Sequence, residues 1–335
     1  MGFVTFGEIM LRLTPSVQNE KVVSAKNFNV GYAGSESNVA SSLARLGNEV
    51  QFVSKLPQNA LGDAAMNSIN SHGVRTDFLL HGGNKMGTYY IEKGSSIRPS
   101  VVIYDRENSS ISQIEANELS WLEILKGHHW LHISGITPAL SPTCAEETLE
   151  AVRTAKKLDV KVSFDLNFRR SLWKDHTEAK KIFDPILECT DLLFANTGAL
   201  ADVYQIAFEH NDPIECSTKA IEEAKRRFGI DCLAFTIRWH DSASRNRLTG
   251  LMLSGSELSL SRVYDVEITD RFGTGDAFAA GVLHGISQNW EDQKALDFGT
   301  AAFALKHTIP GDQNYSTQKE IESIMNGNIS GWAVR

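Results

Sequence analysis

The amino-acid sequence predicts an α/β fold in which helices cover both faces of a parallel sheet. Short apolar runs recur along the chain, and such runs are typical of buried strands. Segments in which apolar residues repeat about every 3.6 positions lie between these runs and predict amphipathic helices. Because strands that alternate with helices usually pair in parallel, the two patterns together predict this fold class.

The individual elements can be assigned from the same patterns. The predicted strands cover residues 3–6, 50–53, 130–133, 160–164, 192–195 and 233–237. The predicted helices cover residues 35–46, 61–72, 143–158, 177–187, 218–228, 276–287 and 292–307. In the first helix Val39, Leu43 and Leu46 share one face, and Gly47 ends the helix. The alternation continues along the chain, so we expect a single domain over residues 1–335.

Two stretches, at about residues 12–33 and 86–113, interrupt the alternation. They contain apolar and aromatic residues such as Tyr90 and Val102, punctuated by Gly, Ser and Pro, without a helical period. This pattern predicts a small antiparallel sheet formed by excursions from the main domain. Excursions of this kind often act as lids over an active site.

The composition excludes several classes of protein. The 335 residues include 33 Lys and Arg against 41 Asp and Glu, which gives a formal net charge of -8. A chain this acidic has no general attraction for nucleic acid or for an anionic membrane. No apolar stretch reaches the ~20 residues of a membrane helix, and the N-terminus lacks a secretory pattern. Since the four cysteines are also widely spaced, the sequence predicts a soluble cytoplasmic protein without nucleic-acid or membrane partners.

The strongest chemical signal is a glycine-rich segment at residues 269–281. Gly273 and Gly275 allow a tight turn, and a predicted helix begins directly after them. The unpaired N–H groups and the positive dipole end of that helix would form an anion site. Asp276 in the first helical turn is either a simple stabiliser of the helix or an acid placed for chemistry. The segment matches neither a Walker A loop nor a dinucleotide fingerprint, since Phe278 stands where the latter requires glycine.

Two weaker clusters lie earlier in the chain. Residues 31–38 place glycines ahead of the first long helix, with Ser35 as the expected N-cap. Residues 165–170 follow a predicted strand, so Asn167 and Arg169 are expected at the carboxyl edge of the sheet, where ligands bind in α/β folds. His129 and His132 have a spacing reminiscent of metal ligands, but a strand there would direct them to opposite faces, and no resident metal site is predicted.

Taken in order, the three clusters resemble the ribokinase-like (PfkB) family of small-molecule kinases. The resemblance extends from Gly7 to about residue 325. It implies a Rossmann-type three-layer αβα core with a small β-sheet lid. It also implies ATP and Mg²⁺ as the phosphoryl donor, a substrate hydroxyl as the acceptor, and a homodimer through the lid or a higher homo-oligomer.

The resemblance also implies roles for the glycine-rich segment. Gly273, Thr274 and Gly275 would form the anion hole around the transferring phosphoryl group, and Asp276 would be the general base. These roles suit phosphoryl transfer, which depends mainly on positioning and on charge neutralisation. The nucleotide side would be formed by Asn167, Asn196, Thr236 and Arg238, together with Gly273 and Gly275.

Within the family, the finer pattern resembles the kinases that phosphorylate the 6-hydroxyl of 2-keto-3-deoxygluconate. The residues that would hold the acid sugar by this resemblance are Gly34, Asn38, Tyr89, Tyr104, Arg106, Arg169 and Asp312. Two arginines near the acceptor suit a carboxylate better than a neutral sugar. A kinase of another sugar or sugar acid, such as a fructokinase or ribokinase, and a binding or regulatory protein that has lost its chemistry remain as alternatives.

The sequence departs from the family pattern at two places. After the fifth predicted strand the family carries Asn-x-x-Glu, a motif tied to Mg²⁺ and phosphate handling, whereas Ala199 stands here three residues after Asn196. Asp202 is a nearby acid that could substitute for the missing carboxylate. The nucleotide loop, expected over residues 236–244, contains no glycine. Neither departure affects Asp276.

Overall fold

The computed structural model describes residues 1–208 and 210–331. Its strands are β1 (Gly2–Phe6), β2 (Met10–Pro15), β3 (Phe28–Ala33), β4 (Glu49–Val53), β5 (Lys55–Leu56), β6 (Leu80–His81), β7 (Thr88–Glu92), β8 (Val101–Asp105), β9 (Trp130–Ser134), β10 (Lys161–Asp165), β11 (Leu192–Ala195), β12 (Cys232–His240), β13 (Arg245–Ser254), β14 (Glu257–Leu260) and β15 (Tyr264–Glu267). Its helices are α1 (Ser35–Arg45), α2 (Ala60–Asn70), α3 (Trp121–Leu125), α4 (Pro142–Lys157), α5 (His176–Leu187), α6 (Thr197–Tyr204), α7 (Pro213–Phe228), α8 (Thr274–Ser287), α9 (Asp292–Lys306) and α10 (Gln318–Met325).

The main sheet contains nine strands within the described residues. Six of them, in the order β4-β1-β9-β10-β11-β12, pair in parallel and correspond to the six predicted strands. Beyond β12, however, β13 pairs antiparallel with β12 and also with β14 and β15, so the sheet is mixed. The predicted parallel sheet is confirmed for the six strands, and the antiparallel edge was not predicted. The extra strands were missed because β13 opens with Arg245 and Arg247 and is interrupted by Gly250, so its apolar run is short.

Helices pack on both faces of the main sheet and enclose two apolar cores. On one face α4, α5 and α7 cover residues such as Phe164 and Phe235. On the other face α1, α8 and α9 cover residues such as Phe52 and Phe194. The predicted three-layer αβα arrangement is therefore confirmed. It places the N-termini of α1 and α8 at the carboxyl edge of the parallel strands.

The small sheet has four strands among the described residues, in the order β3-β2-β7-β8. The pairs β2–β3 and β7–β8 are antiparallel hairpins, but β2 and β7 run parallel. The prediction of an antiparallel sheet was wrong in this respect, because the two hairpins are joined through their first strands, which run in the same direction. One face buries Met10, Tyr89 and Ile91, while Val30 and Ile103 are exposed on strands of the same sheet.

Over residues 1–208 and 210–331, none of the helices combines the length and the apolar character that a membrane crossing needs.

Candidate active site

Two adjoining cavities lie at the carboxyl edge of the parallel strands. The larger has a volume of about 450 Å³ and the smaller about 90 Å³. Five residues line both cavities, namely Asn167, Arg169, Phe272, Gly273 and Asp276. The glycine-rich segment therefore lies at the boundary between them.

The turn ahead of α8 is shaped for an anion. Gly273 is the N-cap, and its φ of 71° lies in the left-handed region that favours glycine. A Cβ atom at this position would lie 1.8 Å from the carbonyl oxygen of Asp312, so only glycine fits. Thr274 and Gly275, which open the helix, line the larger cavity. Their N–H groups belong to the first turn, which has no intrahelical acceptors for them, and so they can bind an anion there.

The Asp276 carboxylate is buried where the N-termini of α1 and α8 meet. Ser35 Oγ donates to Asp276 Oδ1 at 2.9 Å, and Asn38 Nδ2 donates to Oδ2 at 2.7 Å. Asn167 Nδ2 in turn donates to Ser35 Oγ at 3.1 Å. Ser35 is the first residue of α1, and its hydroxyl binds the Asp276 carboxylate. The prediction that it is the N-cap was wrong, since Gly34 holds that position.

Burial raises the pKa of Asp276 to about 7. The hydrogen bond from Asn38 opposes this rise, the negative charge of Asp165 adds to it, and the hydrogen bond from Ser35 again opposes it. A carboxyl group with a pKa near neutrality can both lose and accept a proton at physiological pH. Asp276 thus has a proton affinity suited to acid–base chemistry, in addition to its position beside the anion turn.

The smaller cavity gathers the residues that the resemblance assigned to the sugar. Gly34, Asn38, Tyr89, Tyr104, Arg106, Arg169 and Asp312 all line it, together with Asp276. They come from the β7–β8 hairpin of the small sheet and the residue after it, from α1 and its N-cap, from the first turn of α8, and from loops of the main domain. Gly34 is required there by close packing, because a Cβ atom would lie 1.8 Å from the carbonyl oxygen of Glu8.

The charged side chains of this cavity differ in whether they already have an ion-pair partner. Arg106 forms an ion pair with Glu8 and lies over the Tyr104 ring, 5.4 Å from its centroid. Asp312 accepts from Arg12 and, at 3.0 Å, from the Tyr89 hydroxyl. Within the described residues, Arg169 has no carboxylate oxygen within 4.0 Å. Arg169 is therefore the positive charge that an acidic ligand would meet without displacing an ion pair.

The larger cavity gathers the residues that the resemblance assigned to the nucleotide. Asn167, Asn196, Thr236, Arg238, Gly273 and Gly275 all line it. The prediction of a loop over residues 236–244 was wrong, because β12 continues through residue 240 and only residues 241–244 connect it to β13. The longer strand carries Arg238 to the anion turn, where its guanidinium donates to Thr274 Oγ1 at 3.0 Å.

Three guanidinium groups surround the larger cavity. Burial, together with the positive charges of Arg271 and Arg169, lowers the pKa of Arg238 to about 10. All three side chains line the cavity, and the buried Arg238 Nε has no hydrogen-bond partner among the residues that the structure describes. Crowded positive charge of this kind is stabilised by a polyanion, so the cavity suits a ligand that carries phosphate groups.

Comparison with known proteins agrees with this geometry. A model of the pfkB family carbohydrate kinases matches residues 2–319. The chain belongs to this family. It is 32% identical over 328 residues to the 2-dehydro-3-deoxygalactonokinase of Haloferax volcanii, covering 98% of each chain. It is 26% identical over 325 residues to the 2-dehydro-3-deoxygluconokinase of Bacillus subtilis, covering 96% of this chain and 94% of the relative.

A solved structure shows the same fold at higher similarity. The 2-dehydro-3-deoxygluconokinase of Thermotoga maritima is 40% identical and has a TM-score of 0.95, covering 98% of this chain and 100% of that chain. The ribokinase-like fold predicted from the sequence is thereby confirmed, as is membership of the carbohydrate kinase family.

In this carbohydrate kinase Ala199, which stands where the family motif has Glu, lies in α6. Asn196 caps α6, a helix that the sequence did not predict, and accepts from the Ala199 N–H at 2.9 Å. Ala199 lines the larger cavity where the family carboxylate is missing. Asp202 also lines it but forms an ion pair with Arg170. A further acid of this cavity is Asp165, and burial raises its pKa to about 6.

These acids bear on whether Mg²⁺ fits the site. Over residues 1–208 and 210–331, no three potential metal-ligating side chains of His, Cys, Asp or Glu lie together. Mg²⁺ usually keeps several waters and is held by one or two carboxylates plus substrate phosphates. Asp165 and Asp202 at the larger cavity therefore fit an ion that arrives with a nucleotide, and they do not form a closed metal cage.

One structural residue of the site escaped the sequence reasoning. Arg12 of β2 donates to Asp270 Oδ2 at 2.6 Å and also to Asp312, and so ties the small sheet to both sides of the anion turn. These partners lie 258 and 300 positions away in sequence. A single arginine in a short strand carries no local signal of such contacts.

The burial of Asp276 should make the free energy of unfolding of the native chain smaller above neutral pH than at acidic pH. An aspartate in an unfolded chain has a pKa of about 4. Because the folded pKa of Asp276 is higher, the folded state binds this proton more tightly, and the stability that this binding contributes is lost as the pH rises from about 4 to about 7. Asp276→Asn should then unfold with a larger free energy than the native chain at pH 8, by on the order of a few kcal/mol.

The measurement is urea denaturation of both proteins between pH 5 and pH 8. Asp63→Asn is the matched control, because Asp63 also lies in the first turn of a helix but is exposed. It should lower the stability slightly at every pH through loss of a helix-dipole interaction. A native chain that is as stable as Asp276→Asn at pH 8 would contradict the burial argument.

Proposed function

We propose that this carbohydrate kinase transfers the γ-phosphoryl group of ATP to the 6-hydroxyl of 2-keto-3-deoxygluconate, giving 2-keto-3-deoxy-6-phosphogluconate. The observation that carries the proposal is the position of Asp276, between an anion turn and a cavity that presents Arg169, which has no carboxylate partner over residues 1–208 and 210–331. Relatives that act on 2-dehydro-3-deoxy sugar acids, by their names, support the choice of substrate.

Asp276 would act as the general base. Its carboxylate borders the sugar cavity and the anion turn together, so a hydroxyl at that boundary can lose its proton as it attacks phosphorus. The incoming hydroxyl would replace Ser35 or Asn38 as a hydrogen-bond donor to the carboxylate. The N–H groups after Gly273 would bind the oxygens of the transferring group and offset the charge that it carries.

The sugar acid would lie in the smaller cavity with its carboxylate toward Arg169. A guanidinium binds a carboxylate through two parallel N–H donors. A neutral sugar has no carboxylate that could accept from both. Arg106 is already paired with Glu8. In the described part of the chain, neither Arg106 Nε nor Glu8 Oε1 has a hydrogen-bond partner, although both atoms are buried. This pair would bind polar groups of the sugar through those two atoms. Asp312 would accept from a sugar hydroxyl.

ATP would lie in the larger cavity, with its phosphates near Arg238 and the anion turn. Asn167, Asn196 and Thr236 offer polar groups to the nucleotide and its bound water. When bound, Mg²⁺ would neutralise phosphate charge, and Asp165 would hold it through water. Since the reaction consumes ATP, we place the enzyme in the cytoplasm.

A panel of acceptors tests the substrate. The native chain with ATP and Mg²⁺ should turn over 2-keto-3-deoxygluconate with a kcat/KM at least tenfold above that for ribose and fructose. The 2-keto-3-deoxygalactonate epimer belongs in the panel because of the archaeal relative. A preference for that epimer or for a neutral sugar would contradict the assignment of 2-keto-3-deoxygluconate as the substrate. No turnover of any acceptor by the folded protein would favour a binding protein that has lost its chemistry.

The Arg169→Lys variant distinguishes recognition of the sugar-acid carboxylate from a general loss of activity on every acceptor. The lysine keeps the charge but loses the two parallel donors, so kcat/KM for the sugar acid should fall by roughly tenfold or more. Loss of activity on a neutral acceptor should be smaller. Arg75→Lys is the control, because Arg75 is exposed, is paired with Asp77 and lies outside both cavities. Equal losses on acidic and neutral acceptors would contradict carboxylate recognition.

The small sheet would form a lid on the single kinase domain and would also pair two chains. Its exposed apolar residues include Val30, Val101 and Ile103, and apolar groups on one small sheet favour burial against a partner. Light scattering at micromolar concentration should give the mass of a homodimer or a higher homo-oligomer. Ile103→Lys should shift the mass toward one chain, whereas Leu122→Lys, on an exposed helix position away from the small sheet, should not. A native monomer would refute the pairing.

A further inference from the structure

The ammonium group of Lys306 is buried beside the anion turn and is not used by the proposed chemistry. The residue is 0% exposed, at the last position of α9. Its Nζ donates to the carbonyl oxygens of Ile309 at 3.0 Å and Gly311 at 2.6 Å. A buried ammonium is costly unless it is well paired, so its retention requires an explanation.

The two carbonyls belong to a turn at residues 309–312 that supports the anion turn directly. The Gly311 N–H donates to Asp270 Oδ2 at 3.0 Å, and Asp270 Oδ1 accepts from the Phe272 N–H at 3.3 Å. The Asp312 carbonyl packs against Gly273 so closely that a Cβ atom there would lie 1.8 Å away. A displacement of the supporting turn would therefore displace Gly273.

Lys306 lies among other charged side chains. Arg12 and Lys306 supply two positive charges, and Asp270 and Asp312 supply two negative ones. Lys93, which is partly exposed, lies 3.6 Å from Asp270. Removal of Lys306 would reduce the positive charge that faces these buried carboxylates, next to the place where phosphate oxygens must bind. The less compensated carboxylates would repel phosphate more strongly.

We propose that Lys306 is a positioning residue for phosphoryl transfer, a cation within the chain that fixes the supporting turn against Gly273. It acts through the 309–312 turn and does not contact the substrate. The inference rests on the kinase activity of the proposed function but not on the identity of the sugar.

The test compares Lys306→Met with Lys55→Met. Lys55 is a second buried lysine, held by Glu118 and the Gln113 carbonyl, and it lies outside both cavities. On the best acceptor of the native chain, Lys306→Met should lower kcat by at least tenfold and leave the KM of the acceptor within twofold. ATP binding measured by calorimetry without acceptor should weaken by a similar factor. Lys55→Met should change neither value by more than twofold.

Chemical rescue distinguishes a role of the positive charge of Lys306 from a role of its side chain in packing. Lys306→Ala leaves a space lined by carbonyl oxygens, so ammonium chloride should raise its kcat or its ATP affinity at least fivefold above sodium chloride of equal ionic strength. Lys55→Ala should not respond. If Lys306→Ala does not fold, Lys306→Gln, which keeps a donor but loses the charge, should show the kcat loss of the methionine variant.

Two results would overturn the inference. One is a Lys306→Met or Lys306→Gln protein with kcat and ATP affinity within twofold of the native chain. The other is a folded Lys306→Ala protein that ammonium does not rescue. A native chain that turns over no acceptor would contradict the proposed function instead, and the comparison of ATP affinities would still decide the role of Lys306.

Discussion

The burial of one carboxylate, Asp276, at the meeting point of two helix N-termini is the constraint on which the site depends. Hydrogen bonds from Ser35 and Asn38 on α1 hold it, and its own helix presents the anion turn beside it. The order of the parallel strands brings α1 and α8 together although they are far apart in sequence. The fold thus brings together an acid of raised pKa, the anion turn and the smaller cavity.

The burial of Asp276 requires support from the surrounding structure. Arg12 joins Asp270 and Asp312 across the anion turn, and the carbonyl of Asp312 packs against Gly273. The same contacts link the small sheet to the main domain, because Arg12 lies on β2. The position of the small sheet and the shape of the anion turn are therefore connected through Arg12, and a displacement of one should displace the other.

Much of this arrangement could be predicted from the sequence, since it depends on local patterns. The six parallel strands, the main helices and the glycine turn before Asp276 each have a signal within about fifteen residues. The antiparallel edge after β12 could not be predicted, because Arg245 and Gly250 break its apolar run. Nor could the partners of Arg12 be predicted, because they depend on how distant segments meet. The residues that the family resemblance assigned to the sugar and to the nucleotide line the smaller and the larger cavity, respectively, and their roles remain predictions.

The dependence of kcat/KM on pH tests the central claim, that Asp276 takes the proton of the acceptor hydroxyl, most directly. With a pKa of about 7, Asp276 is protonated below neutrality and cannot accept that proton. The native chain should lose activity tenfold for each pH unit below about 6.5. Asp276→Asn should be slower by at least ~100-fold and lack this acidic limb. An Asp276→Asn protein that keeps most of its activity, or that retains the limb, would contradict the account.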